Sequence, residues 1–396
     1  MKTSLFVLLL HLTALHQLSA QCQVITLPYG QVEIDINRGY KIIPTQDGNF
    51  VIAGEWNNEA FLMKVNGQGQ QLALNKYGSA ITGQSLLQDV VEAADGGFVA
   101  VGECDNCGAP TDTLTRVIAI KTDANLNLDA TIGVRKFGTV TLPGGFVTAN
   151  RQTSPRIVRT GDTYLLATCL LLAASINWED VGVTKLSSAL SSLWVKSYNT
   201  GYFEAPFGMT ATADGFIMPI NRAFLTHASL LKINTNGDLV WIKTFATDLV
   251  RGITYLPDAN DVVVIGDRTP AGQNKQALLM RFNAASGAVK DSLLFGDVLG
   301  DEGHDVKELP NGDLLAGIVT NRPNPFGTYA SSRIYRIHAN PLSVDCYYLV
   351  PNPDNITNMS LRSIVPLSDN GKDFAVTGIR GFYNRTFFHT RHDCEV

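Results

Sequence analysis

Histidine is scarce in this chain of 396 residues: seven occur in all, and beyond residue 20 only His227, His304, His338, His389 and His392. None belongs to an HxH or HExxH pattern or to a Cys/His cluster with ligand spacing, so no metal centre is expected. The chain also lacks a GxSxG elbow, a P-loop, an EF-hand loop, and a GxGxxG between strand and helix. These absences exclude the common hydrolase, nucleotide and dinucleotide sites, and no cofactor is expected. Helical periodicity is missing throughout. Basic residues do not predominate, with 31 Lys and Arg against 36 Asp and Glu, so no nucleic-acid partner is expected.

Long apolar runs are missing too. The longest, Leu5 to Leu15 interrupted by His11 and Thr13, has about 11 residues against the roughly 20 that span a bilayer. With Lys2 before it and Leu18-Ser19-Ala20 after it, the run reads as a signal peptide over residues 1–20. The expectation is a secreted or cell-surface protein with no membrane span, formed by residues 21–396 as one domain and acting as a monomer.

A repeat fills the rest. A polar turn precedes an apolar strand seven times: Asp47-Gly48 before FVIAG, Asp95-Gly96 before FVAVG, Gly161-Asp162 before YLLAT, Asp214-Gly215 before FIMPI, Asp258 to Asp261 before VVVIG, Asn311-Gly312 before LLAG, and Asn370-Gly371 before FAVTG. Asp-Gly and Asn-Gly between apolar runs signal hairpins, because these residues tolerate positive φ. A second strand then ends in a base: Lys64, Lys121, Lys185, Lys232, Arg281, Arg336 and Arg391. A further strand ends in an aromatic residue, as at Tyr29, Tyr77, Phe137, Tyr198, Phe245 and Phe295. The period is about 54 residues, near that of four-stranded propeller blades with long loops. The fold expected is all-β: a seven-bladed β-propeller of four-stranded antiparallel blades.

The segments EAADGGFVAVGE and SLLKINTNGDLVWIKTFA carry a DGGF, K-x-N and W-x-K-x-F pattern that resembles the propeller repeats of secreted proteins in Bacteroidota and related bacteria. The resemblance covers essentially residues 22–396. It implies a fold and a compartment, and no reaction.

The last repeat stops after its third strand, while Gln23 to Gly30 has the signature of a fourth strand with nothing before it. The N-terminal strand is therefore expected to complete the last blade, leaving no free edge at the seam. Aligning this blade on the first puts Cys22 and Cys394 at i and i+3 of a turn, within disulfide reach. Cys104 and Cys107 are expected to staple a loop, since the second Cys or His pair that zinc needs is missing. Cys169 and Cys346 fall in different repeats and are expected to stay thiols.

The Asp-Gly acids and the strand-end bases recur in blade after blade and read as scaffold. Function is sought where blades differ, at the loops and strand ends around the channel. Candidate ligand-binding residues there are Glu55, Glu103, Asp267, Asp301, Glu302, His304, Arg38 and Arg251, with Arg156 and Arg362 at equivalent strand entrances and Trp56, Tyr202 and Phe203 as sugar-stacking surfaces. Sequons begin at Asn355, Asn358 and Asn384. No catalytic constellation emerges. The reading is a secreted binding or adhesion module for an unknown protein or glycan. The alternatives are a glycan hydrolase or lyase using carboxylates at the channel mouth, and a structural part of a cell-surface assembly.

Overall fold

The turn glycines take the backbone conformation the repeat calls for: Gly48, Gly96, Gly161, Gly312 and Gly371 have φ between +60° and +82° in the computed structural model. The structure describes residues 24–29, 37–107, 115–138, 148–172, 179–199, 204–222, 227–297, 299–324, 327–350, 358–368, 371–380 and 385–391. The expected signal peptide and Cys22, Cys394, Tyr202 and Phe203 lie outside them.

The strands form antiparallel sheets whose innermost strands are, in chain order, Asn37–Pro44, Gln84–Glu92, Thr148–Thr160, the pair Glu204–Pro206 and Thr210–Thr212, Leu249–Leu256, Asp301–Glu308, and Met359–Pro366. We refer to the sheets as first to seventh in that order. Each inner strand contacts the next, and Met359–Pro366 contacts Asn37–Pro44, so they close a circle. This is a β-propeller. The seventh sheet is composite: Val24–Pro28 pairs antiparallel with Arg385–Arg391, Val24 opposite Arg391, so the N-terminal strand completes the sheet begun by the last three strands.

The count of blades departs from expectation. Six four-stranded blades are present, not seven, because the fourth sheet has five strands. Its inner strand is split: Pro206 pairs with Ile220 and Thr210 with Ile217, and regular pairing lapses over Phe207 to Met209, where only the Phe207 N–H still reaches the Pro219 carbonyl, at 3.3 Å. Pro219, opposite the gap, has no N–H to offer the ladder there. Helix is confined, among the described residues, to one turn, Gly78–Ile81.

Apolar side chains fill the spaces between consecutive sheets. Val51, Leu62 and Tyr77 of the first meet Leu87, Phe98 and Ile118 of the second, and Tyr29, Val365 and Ala375 of the seventh meet Ile42, Ile52 and Met63 of the first. The repeat's polar signatures bind the same neighbours together. The Asp of the hairpin turn pairs with the strand-end base of its own sheet in five cases: Asp47 with Lys64, Asp95 with Lys121, Asp214 with Lys232, Asp261 with Arg281, and Asp313 with Arg336, all at 2.6 to 2.9 Å. Several of these bases also donate to a turn carbonyl of the following sheet, Lys64 to Ala124 and Lys232 to Ala284. The strand-end tyrosines do likewise: Tyr29 donates to Gly69, Tyr77 to Leu126, and Tyr198 to Gly237. The bases and tyrosines brace sheet to sheet, the scaffold role expected of the bases, and the turn acids hold those bases from within their own sheet.

Candidate functional site

Every inner strand is irregular at the same level. The pairing slips at Tyr40, Gln88, Arg251, His304 and Arg362, each an extra residue between two paired ones. It slips again just before Arg156 in the third sheet, and in the fourth the strand breaks over Phe207 to Met209. A bulge re-aims the side chain it carries. Here all these side chains converge on one central cavity of about 300 Å³, at the lower end of the range of small-ligand sites.

The bulge explains a glycine of the repeat. Gly54, Gly102 and Gly266 close the FVIAG, FVAVG and VVVIG strands, and a Cβ on any of them would lie 1.8 to 2.0 Å from a carbonyl oxygen of the bulged inner strand. Backbone presses on backbone at these points, and only hydrogen fits between.

The residue after that glycine holds the bulge side chain of its own sheet. Glu55 accepts from Tyr40 at 3.2 Å, Glu103 from Gln88 at 3.1 Å, and Asp267 from Arg251. In the seventh sheet, where Leu361 faces Gly378, the corresponding residue is Ile379. Arg362 accordingly makes no hydrogen bond or salt bridge among the described residues, and its Nε is buried without a partner.

The cavity lining is cationic on balance. Lys41, Arg156, Arg251, Lys307 and Arg362 face two carboxylates, Asp89 and Asp305. Both carboxylates are engaged in structure. Asp89 accepts the backbone N–H of Ile157 at 3.0 Å, and Asp305 accepts those of Val306 and Ile364 and the hydroxyl of Ser363. Lys307 lies 2.5 Å from Asp305, and Lys41 only 3.9 Å from Asp89. Burial alone would raise the Asp305 carboxyl, but the charges of Lys307 and Lys41 outweigh it and hold the group below its ordinary value. Arg156 donates to Gln88 and to the Pro155 carbonyl and lies 5.9 Å over the Phe207 ring. Burial lowers the pKa of both Arg156 and Arg362, and the neighbouring charge of Arg251 adds to this at Arg362. Phe207, Met209 and Ile253 contribute the apolar part of the lining.

Of the eight residues named from sequence, the structure brings two to the cavity wall, Arg251 and His304. Two more, Asp267 and Glu302, stand directly behind them. Both grip Arg251, Glu302 at 3.1 Å, and Lys275 bridges both acids. His304, Arg251 and Lys275 hold Glu302 well below the usual carboxylate range. His304 is pushed down to about 4 by burial, with Arg251 and Arg362 adding to it, so its ring is neutral at neutral pH. Burial raises the Asp267 and Glu103 carboxyls. Glu103 backs Gln88, and Glu55 backs Tyr40 and accepts from Arg38 at 3.4 Å. Asp301 is buried elsewhere, bonded to Thr320 and the Asp297 N–H. Sequence reasoning missed Lys41, Asp89, Asp305 and Lys307. Cys104 and Cys107 form the expected loop disulfide, their Cα atoms 5.8 Å apart. Among the described residues no cluster of three or more His, Cys, Asp or Glu is arranged to hold a metal, and no helix is long and apolar enough to cross a membrane.

No protein-family profile matches the chain, and no curated protein matches it in sequence. Solved structures it is similar to include Drosophila Plexin A in complex with Semaphorin 1b, at 8% identity and TM-score 0.49 over 93% of this chain and 87% of that one. A functionally unknown protein from Dyadobacter fermentans DSM 18053 aligns at 11% identity and TM-score 0.49 over 93% and 99%. One from Bacteroides caccae aligns at 13% and 0.45 over 76% and 94%. A likeness at this level carries no information about ligand or partner.

Proposed function

We propose that the protein is a secreted binding module whose ligand enters the central cavity. One observation carries this reading: each inner strand breaks its pairing at a common level and turns a side chain to the same cavity. Arg251 and His304 belong to the binding wall, while Glu55, Glu103, Asp267 and Glu302 orient it from behind.

The glycan-hydrolase alternative fits the site less well. General acid and base catalysis on a glycoside uses two carboxylates free to act on the bond. Asp89 and Asp305 instead hold backbone N–H groups of neighbouring inner strands. The test is a screen of residues 21–396 on glycan and protein arrays, with turnover assays on the captured glycans. Capture without turnover is expected. Steady release of cleaved product would overturn the reading in favour of an enzyme.

A further inference from the structure

The cavity lining is of two kinds. Arg362, Arg251 and Lys41 are cationic, and the fourth and fifth sheets add an apolar patch of Phe207, Met209 and Ile253, with Ile253 on the same inner strand as Arg251. Every other cation of the lining has a partner. Arg251 is held by Asp267 and Glu302, Lys307 by Asp305, Arg156 by Gln88 and a carbonyl, and Lys41 lies near Asp89. Arg362 is left over. The cause lies in the sequence, because Ile379 occupies the place where Glu55, Glu103 and Asp267 hold their own bulge side chains.

Arg362 is half-buried and feels the charge of Glu302, but no carboxylate hydrogen-bonds it, and its Nε is buried without a partner; an anion that supplies two acceptors would satisfy it through bidentate hydrogen bonds. The apolar patch in the same cavity favours a ligand with a hydrocarbon body over a bare inorganic ion. A volume of about 300 Å³ lies at the lower end of small-ligand sites, which favours a compact body.

We infer that the cavity binds a compact organic anion, its carboxylate seated on Arg362 beside Arg251 and its apolar body against Phe207, Met209 and Ile253. This inference rests on the cavity being the ligand site, as proposed above, and adds the class of ligand.

The test uses calorimetric titration of residues 21–396 with sodium benzoate, benzamide and inorganic phosphate at low salt. Benzoate is expected to bind, benzamide of the same shape to give no saturable heat, and phosphate to bind at least about tenfold more weakly than benzoate. Arg362→Gln is expected to weaken benzoate about tenfold or more, as loss of a charge-assisted pair should. Equal binding of benzoate and benzamide overturns the carboxylate seat, and phosphate binding as tightly as benzoate overturns the role of the apolar patch. Unchanged benzoate affinity in a folded Arg362→Gln overturns the assignment of the seat. The comparison of the three ligands needs no variant and decides the matter even where Arg362→Gln does not fold. Absence of benzoate binding together with array capture by the same preparation removes the anion seat and leaves the binding-module reading. Absence of both removes both.

Discussion

The carboxylate of Asp305, on the inner strand of the sixth sheet, accepts the backbone N–H of Ile364 on the inner strand of the seventh at 3.1 Å. Asp89 holds Ile157 of the third sheet in the same way from the second. An Asn does this work between the fourth and fifth, where Asn221 both accepts from and donates to the backbone of Val250. Side chains thus join consecutive sheets near the axis, from the inner strand at Asp89 and Asp305 and from the second strand of the fourth sheet at Asn221.

Removing one such joint should be expensive. Asp305→Ala leaves the Ile364 N–H, the Ser363 hydroxyl and the Lys307 ammonium without their shared acceptor, and breaking a buried pair of this kind costs about 3 kcal/mol or more. Urea unfolding should show a lowered midpoint of that size. A change under about 1 kcal/mol would mean that water replaces the carboxylate there.

The glycine beside each bulge should be far less replaceable than the glycine of each turn. A Cβ at Gly102 would lie 1.8 Å from the Leu86 carbonyl oxygen, whereas Gly96 has nothing within 4 Å and only its positive φ to lose. Gly96→Ala should cost about 1 kcal/mol. Gly102→Ala, which must push two strands apart, should cost about 3 kcal/mol or prevent folding. Thermal denaturation of the two variants side by side measures the difference.

Acid should weaken the fold in two stages. His304 is pushed from its usual 6.5 to about 4 by burial, with Arg251 and Arg362 opposing its charge and Glu302 favouring it. The unfolded chain therefore takes up a proton below pH 6.5 that the folded chain refuses until about pH 4, and stability falls across that interval by about 3 kcal/mol. Asp47, Asp95 and Asp214 act lower down. Lys64, Lys121 and Lys232 hold them below the ordinary carboxylate range, so their contribution is present above the unfolded value and lost as pH drops beneath it. Melting temperature measured from pH 7 to pH 3 should decline in both intervals, and His304→Gln should flatten the upper one while leaving the lower.

Much of this was legible in the chain. The Asp-Gly turns, the bases and the strand-end aromatics marked the sheets, and the unmatched strand at the N-terminus marked the composite one. The cavity wall was harder to read. A strand read as strict alternation assigns each side chain to one face, and one extra residue reverses the assignment beyond it. In Gly39-Tyr40-Lys41 and Gly303-His304-Asp305 the bulge sits inside the strand, so Lys41 and Asp305 were hidden where Arg251 and His304 were not. A signal existed: the glycine ending FVIAG, FVAVG and VVVIG is the imprint of the bulge opposite. The split strand of the fourth sheet left a fainter one, in Pro206 and Pro219.

The seam expectation remains open to a direct check. Val24 stands opposite Arg391 in the composite sheet, and Cys22 and Cys394 are two residues before the one and three after the other in sequence. We propose that the two are joined. Mass mapping of unreduced peptides should recover Cys22 and Cys394 as one linked species, separate from Cys104 with Cys107. Alkylation of both thiols without reduction would refute it.

Binding in the cavity rather than on the outer surface is decided by array capture with a plugged variant. Met209 faces the cavity from the gap in the fourth sheet, outside any pairing, so Met209→Trp should fill space without breaking a ladder. The account predicts that the wild-type chain captures array ligands and that folded Met209→Trp loses them. Capture unchanged by the plug would contradict it.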